Sequence, residues 1–257
     1  CLFENKQDGI IGEVKNPILK TWDDLEDFHV PNELLSLEFE KINNFCQINS
    51  DKFIVSPCCA RPFERMQFLR GSENIYMDFY VSTDKLSRLL KTIHDFNCKR
   101  LEYWSKTNVD ALFIMDDWGA QNSLLISPEM WKEIFKLLYQ EYVDIAHKSS
   151  KYIFMHSDGN ILSIIPDLIE IGIDALNSQI FAMQINNLSK FKGQITFWGE
   201  IDRQNILPNF SKEAIANVIS DVYDKLYSNG GIIGQCEFGP GAKPENVYTV
   251  FDEWKKY

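Results

Sequence analysis

From about residue 52 onward, short apolar runs alternate with longer amphipathic stretches. Over 83–105 the apolar positions Leu86, Leu89, Leu90, Ile93, Phe96 and Leu101 recur at helical spacing, which predicts one long helix with a single buried face. Short apolar runs predict strands at 52–56, 111–115, 152–155, 174–177, 194–198 and 232–235. Helical stretches fall between and after them: 63–69, stopped by Gly71; 72–80; 127–149, with Ser127 as cap and Pro128 at the first position; 161–170, closed by Gly172; 187–191; 211–228, ended by Asn229-Gly-Gly231; and 244–256. The first fifty residues carry weaker signals. They predict an extended segment over 9–14, a cap with acidic first-turn residues at Thr21-Trp-Asp-Asp, and a helix from Pro31 to Cys46.

Strand then helix, repeated, implies a parallel sheet covered by helices. Cap signals follow closely behind the strands and leave no Pro- or Ser-rich linker, so residues 1–257 read as one α/β domain, a (β/α) barrel whose first one or two units are absent or irregular. No GxGxxG follows a strand, which weighs against a dinucleotide fold.

Composition narrows the partners. A chain of 257 residues that is 45% hydrophobic supports a full core. A net charge of −11 repels nucleic-acid phosphates and anionic lipid. No apolar run approaches the roughly 18–20 residues of a membrane span. The opening Cys-Leu-Phe-Glu-Asn-Lys lacks both an initiator Met and the basic-then-apolar pattern of a signal peptide, which reads as a processed or truncated piece. The six cysteines, at 1, 46, 58, 59, 98 and 236, form no CxxC pair, the pattern of a reduced, cytoplasmic protein.

Polar clusters at strand ends hold the candidate chemistry, because ligands of α/β proteins bind where the carboxyl ends of strands meet. The run ending at 155 delivers His156, Asp158 and Asn160 into a turn, and the run at 232–235 delivers Cys236. Imidazole, carboxylate and thiolate suit zinc with one position open for catalysis. The same residues also read as a capping histidine, a turn aspartate before glycine and a buried cysteine. Asp116 and Asp117 end another strand, and alternation lets one face a cavity while the other caps the loop. Trp118 offers a flat wall and Gln121 an amide. Asn177 with Gln179, and Glu200 with Asp202, share a side at i, i+2 as substrate-orienting pairs or as ordinary loop polarity. Arg61 and Arg70 are candidate carboxylate anchors, Arg70 equally a helix C-terminal residue.

Several stretches, in order over residues 60–257, resemble one family. They are Phe63-Glu-Arg through Leu69-Arg-Gly71, Asp110-Ala-Leu-Phe-Ile-Met-Asp-Asp-Trp-Gly-Ala-Gln121, Leu125-Ile-Ser-Pro-Glu-Met-Trp131, His156-Ser-Asp-Gly-Asn-Ile161, Ile165-Pro-Asp-Leu-Ile-Glu-Ile-Gly172, Phe197-Trp-Gly-Glu-Ile-Asp202 and Pro244-Glu-Asn-Val247. Together they resemble the uroporphyrinogen decarboxylase superfamily, which includes porphyrinogen decarboxylases and zinc-dependent methyltransferases acting on methyl-corrinoid proteins. The resemblance implies a (β/α)8 TIM-type barrel with its N-terminal part incomplete.

The methyltransferases carry His-x-Cys after one strand and a further Cys after the last; here His156 and Cys236 match, and Asp158 stands at the middle position. The decarboxylases carry an arginine-rich N-terminal segment and a histidine in the last loop, and this chain shows neither. The leading expectation is therefore a zinc-dependent methyltransferase working with a corrinoid carrier. In it, His156, Asp158 and Cys236 hold the metal, Asp116, Asp117 and Glu200 are catalytic, and Trp118, Gln121, Asn177, Gln179 and Asp202 bind substrate. The alternatives are a carboxy-lyase for a tetrapyrrole such as uroporphyrinogen, with Asp116 or Asp117 stabilising a cationic intermediate, and a non-catalytic tetrapyrrole- or corrinoid-binding subunit. A homodimer is implied by the resemblance alone.

Overall fold

A computed structural model describes residues 2–4 and 13–257. Most of the expected extended segment 9–14, and Cys1, lie outside the described residues. In chain order the elements are β1 (Leu2–Glu4), β2 (Glu13–Asn16), α1 (Phe39–Ile48), β3 (Val55–Ala60), α2 (Pro62–Arg70), α3 (Ser72–Val81), α4 (Thr83–Ser105), β4 (Ala111–Met115), α5 (Pro128–Ile134) and α6 (Lys136–Lys148). There follow β5 (Tyr152–Ser157), α7 (Ile165–Ile171), β6 (Ala175–Ser178), α8 (Ile185–Leu188), β7 (Thr196–Glu200), α9 (Ile206–Asn209), α10 (Lys212–Leu226), β8 (Ile232–Gln235) and α11 (Pro244–Trp254). Parallel strands with helical crossovers place the fold in the α/β class of TIM-type barrels. No helix of the described residues is long and apolar enough to cross a membrane.

The chain divides into two compact units, residues 1–116 with 141–152, and residues 117–140 with 153–257. In the first, β1 and β2 pair antiparallel and β3 and β4 pair parallel. β3 begins later than the apolar pattern predicts and contains Pro57. The proline is tolerated because it sits where the register slips between Val55 and Cys58, a place that needs no ladder donor. Leu86, Leu89, Leu90, Ile93, Phe96 and Leu101 are all buried, as the periodicity of α4 requires. Arg70 is buried rather than poised for a ligand. Its Nε meets Asp78 Oδ2 at 3.0 Å, its Nη1 donates to the carbonyls of Leu19 and Lys20, and its guanidinium lies 4.7 Å from the Trp22 ring centroid.

In the second unit β5, β6, β7 and β8 pair parallel in that order without a register break, so that His156, Asn177, Trp198 and Ile233 form one row across the strands. The expected helix 127–149 is two helices parted at Phe135, whose fully buried ring packs 4.6 Å from that of Trp118. The i→i−4 hydrogen bonds Phe135 N–H to Trp131 O and Tyr139 N–H to Phe135 O continue across the break, so the two helices are nearly one. Trp118, Trp131, Phe135 and Tyr139 are all fully buried and form an aromatic core.

Candidate metal and acid–base centre

The centre lies in the second unit and grows from the row of paired residues. Because His156 and Asn177 are register partners on adjacent strands, their side chains emerge together, and His156 Nδ1 lies 2.6 Å from Asn177 Oδ1. The Asn177 amide group donates to the Trp198 carbonyl at 2.8 Å and to Gln235 Oε1 at 2.6 Å. Its Oδ1 is therefore the acceptor for His156, Nδ1 carries the hydrogen, and Nε2 is turned the other way.

Nε2 faces two carboxylates, 3.5 Å from Asp117 Oδ1 and 3.7 Å from Asp158 Oδ1. A close backbone crossing sets their positions. The Gly119 N–H donates to the Asp158 carbonyl at 3.1 Å, the Asn160 N–H to the Ala120 carbonyl at 2.8 Å, and the Asp158 N–H to Asp117 Oδ1 at 3.0 Å. Only glycines allow this approach: a Cβ on Gly119 would stand 2.4 Å from Asn160 N, and one on Gly159 2.2 Å from Gly119 O.

Charge is concentrated here. Arg203 Nη2 is 3.6 Å from Asp158 Oδ2, its Nη1 is 3.3 Å from Glu200 Oε2, and it also pairs with Glu237. Four carboxyl groups (Asp117, Asp158, Glu200, Glu237) thus surround two basic side chains (His156, Arg203). Burial pulls the His156 pKa down, but the hydrogen bonds to Asp117 and Asn177 and the charges of both aspartates outweigh it and raise it to about 9. Burial raises that of Glu200 to about 8, with Arg203 opposing and the charges of Glu237 and Asp158 adding to the rise. Burial, then the charge of Glu200, pushes the Cys236 thiol up to about 11. Asp158 is raised by burial against the pull of His156.

Asp117, His156 and Asp158 each offer a ligand atom within 4.8 Å of the others. Zinc–nitrogen and zinc–oxygen lengths of about 2.0–2.1 Å give a tetrahedral N···O edge of roughly 3.3 Å, so separations of 3.5 and 3.7 Å need to close by only a few tenths. A Nδ1 held by an amide, leaving Nε2 to ligate, is the usual arrangement around a metal-bound histidine. The donor set therefore fits a divalent cation such as zinc. Cys236, expected in the triad, stands outside this group, and Asp117 takes the third place.

The other expected residues divide. Asp116 is fully buried and accepts the Phe63 and Glu64 N–H groups at 2.9 and 2.8 Å, capping the start of α2, and it is not exposed to a ligand. Trp118 is core and not a cavity wall: it is fully buried and its indole N–H donates to the Tyr139 hydroxyl at 3.0 Å. Asp202 accepts the Gln204 and Asn205 N–H groups, an Asx turn before α9. Asn177 positions His156. Gln121, Gln179 and Glu200 line a cavity of about 150 Å³ together with Phe181 and Arg203, and Asp202 also borders it. Gln179 in addition accepts the Gly159 N–H at 3.2 Å. Arg203, Gln235 and Glu237 escaped the sequence reading. A lone arginine three residues after Glu200 was the available signal for the first.

A family model described as uroporphyrinogen decarboxylase (URO-D) matches residues 4–257. No curated protein matches the chain. Among solved structures, a methyltransferase from Methanosarcina mazei is similar with a TM-score of 0.68 and 17% identity, covering 98% of this chain and 73% of that one. A dihydropteroate synthase from Anaplasma phagocytophilum, bound to 6-hydroxymethylpterin-monophosphate, follows at a TM-score of 0.44 and 14% identity, covering 64% of this chain and 70% of that one.

Proposed function

We propose that this chain, which belongs to the uroporphyrinogen decarboxylase family, is a zinc-dependent methyltransferase that moves a methyl group between a corrinoid carrier protein and a small molecule. The observation that carries the reading is the grouping of Asp117, His156 and Asp158 in the same unit as a small polar cavity. The fold shared with a methyltransferase supports it.

When bound, zinc would supply Lewis acidity toward the substrate's sulfur or oxygen. His156 and the two aspartates are the residues we assign to it. Asn177 holds the imidazole in the ligating tautomer. Cys236, whose thiol burial and the charge of Glu200 push up to about 11, lies outside the Asp117–His156–Asp158 group and is given no ligand role. Burial raises Glu200 to about 8, near enough to neutral pH that we assign it as the acid that protonates a leaving group, or the base in the reverse direction. Gln121 and Gln179 offer amides to the polar end of the substrate.

The cavity favours a small substrate. At about 150 Å³ it is smaller than the roughly 300–1,000 Å³ of pockets for drug-sized ligands, a size suited to a small methyl donor or acceptor, with any macrocycle, corrin included, lying outside it. Asp116, one of the two groups able to stabilise a cationic pyrrole, is already engaged in its helix cap.

The test is an assay with methylcobalamin and a panel of small thiols. The zinc-loaded protein should convert the methylcobalamin spectrum to that of demethylated corrinoid, and His156→Ala should be slower by about 100-fold or more, the upper end for loss of a metal-supporting group. No transfer above the uncatalysed rate with any thiol, or equal rates in the two proteins, defeats the reading.

A further inference from the structure

A second cluster of metal-ligating side chains lies in the first unit and takes no part in the chemistry above. His94 and Cys98 are one turn apart on α4, so both leave the same face of the helix. Glu141, on α6, meets them: His94 Nε2 is 2.9 Å from Glu141 Oε2, and Cys98 Sγ is 3.6 Å from His94 Nε2. All three present ligand atoms within 4.8 Å of one another. We propose that His94, Cys98 and Glu141 form a second divalent-cation site, suited to zinc, that ties α4 to α6.

Three features carry the proposal. The first is the donor set, a nitrogen, a sulfur and a carboxylate oxygen, which is that of a zinc site with a fourth position open to water. The second is spacing. Zinc–sulfur and zinc–nitrogen lengths of about 2.3 and 2.05 Å give a tetrahedral N···S edge of roughly 3.5 Å, close to the 3.6 Å present; Sγ also lies 3.9 Å from Nδ1, beside the ring, so the Cys98 side chain must turn toward the front of Nε2 to share a cation with it. The N···O separation of 2.9 Å must open by a few tenths, which a Glu141 side chain 62% exposed can accommodate.

The third is support behind the ligands. His94 is buried, its Nδ1 lies 3.0 Å from the Tyr142 hydroxyl, and Asn97 Nδ2 donates to that same oxygen at 3.4 Å. In this structure the Nε2–H donates to the Glu141 carboxylate and Nδ1 faces the Tyr142 hydroxyl; a cation taking the place of that hydrogen would leave the other on Nδ1, where the Tyr142 oxygen accepts it, the outer-shell hydrogen bond that metal-bound histidines use. The exposed side of Glu141 leaves a path for the cation. Lys91, three residues before His94, is already paired with Asp95 at 2.7 Å.

The experiment is a cobalt(II) titration of chelator-stripped Cys236→Ser protein, residues 1–257, in which that other thiol cannot contribute. A thiolate-to-cobalt charge-transfer absorption in the near ultraviolet should grow to one equivalent. Adding Cys98→Ser should abolish it, Glu141→Gln should weaken cobalt binding about tenfold or more, and adding His156→Ala should leave it unchanged, which separates this site from the one assigned to catalysis. Circular dichroism establishes that each variant is folded. Glu141→Gln, at an exposed position, serves should Cys98→Ser fail to fold. Absence of the band, its survival in Cys98→Ser, or unchanged affinity in Glu141→Gln would overturn the proposal.

Discussion

Replacing Gly159 by alanine tests whether the backbone crossing of Gly119 and Gly159 builds the centre. Two costs add. Gly159 has φ +77°, a conformation that costs an L-residue about 1–2 kcal/mol. The new Cβ would also stand 2.2 Å from the Gly119 carbonyl oxygen and 2.3 Å from its carbon. Those are backbone atoms, so no rotamer change relieves the clash and the two loops must part. Parting them breaks the Gly119–Asp158 and Asn160–Ala120 hydrogen bonds, each worth about 1 kcal/mol. The sum is about 3–4 kcal/mol, toward the severe end for one substitution. Gly231→Ala is the control: φ is +85° and the nearest atom to its Cβ is Ile195 O at an ordinary 3.7 Å, so it pays only the conformational cost. The assay is urea unfolding of both variants and wild type, followed by tryptophan fluorescence, together with zinc affinity. Gly159→Ala should be the less stable by about 2 kcal/mol or more, and should bind zinc more weakly because Asp117 and Asp158 separate. Equal midpoints for the two variants would refute the reasoning.

Three further outcomes are expected. In chelator-treated protein the His156 pKa of about 9 lies above its unfolded value of 6.5, so its stabilisation is complete below pH 6.5 and lost as pH rises through 9. The raised value of Glu200, about 8 against 4.5, acts in the same direction at lower pH. The unfolding free energy should therefore fall from pH 6 to 10 by at most about 3 kcal/mol for the histidine, and His156→Gln should flatten the upper part of that fall; an identical slope in the variant would count against the ion pair. Arg203→Met removes the cation that opposes the rise at Glu200, so the alkaline limb of the pH–rate profile should move upward, and a limb that stays put would detach Glu200 from the reaction. Trp118→Ala should cost about 3–5 kcal/mol of stability, whereas Trp118→Phe should leave KM unchanged; a large rise in KM would return Trp118 to the cavity.

Much of this architecture is legible in the pattern of apolar residues, and the failures have physical causes. α4, β4 and β8 have the expected bounds because each is a clean periodic or apolar run between strong end signals. The expected helix 161–170 begins only at Ile165, since the Asn160 side chain accepts the Leu162 N–H and holds a turn there. His156 and Asp158 are visible as polar residues at a strand end. Asp117 as their partner is not, because it reaches them through the contact of two glycines some forty residues apart, which leaves no periodic trace. Arg203 and Glu237 meet from separate loops and have the same difficulty. Trp118 was misplaced by its neighbourhood: one residue beyond a polar side chain the chain presents its other face, and here that face is the aromatic core.

Zinc binding at Asp117, His156 and Asp158 is the property on which the proposed chemistry depends. The decisive measurement is calorimetric titration of zinc into chelator-stripped Cys98→Ser protein, in which the proposed site on α4 is disabled, beside the same protein carrying His156→Ala. One tight equivalent that disappears in the second protein is the predicted result. No tight binding in the first, or the same binding in both, would contradict it.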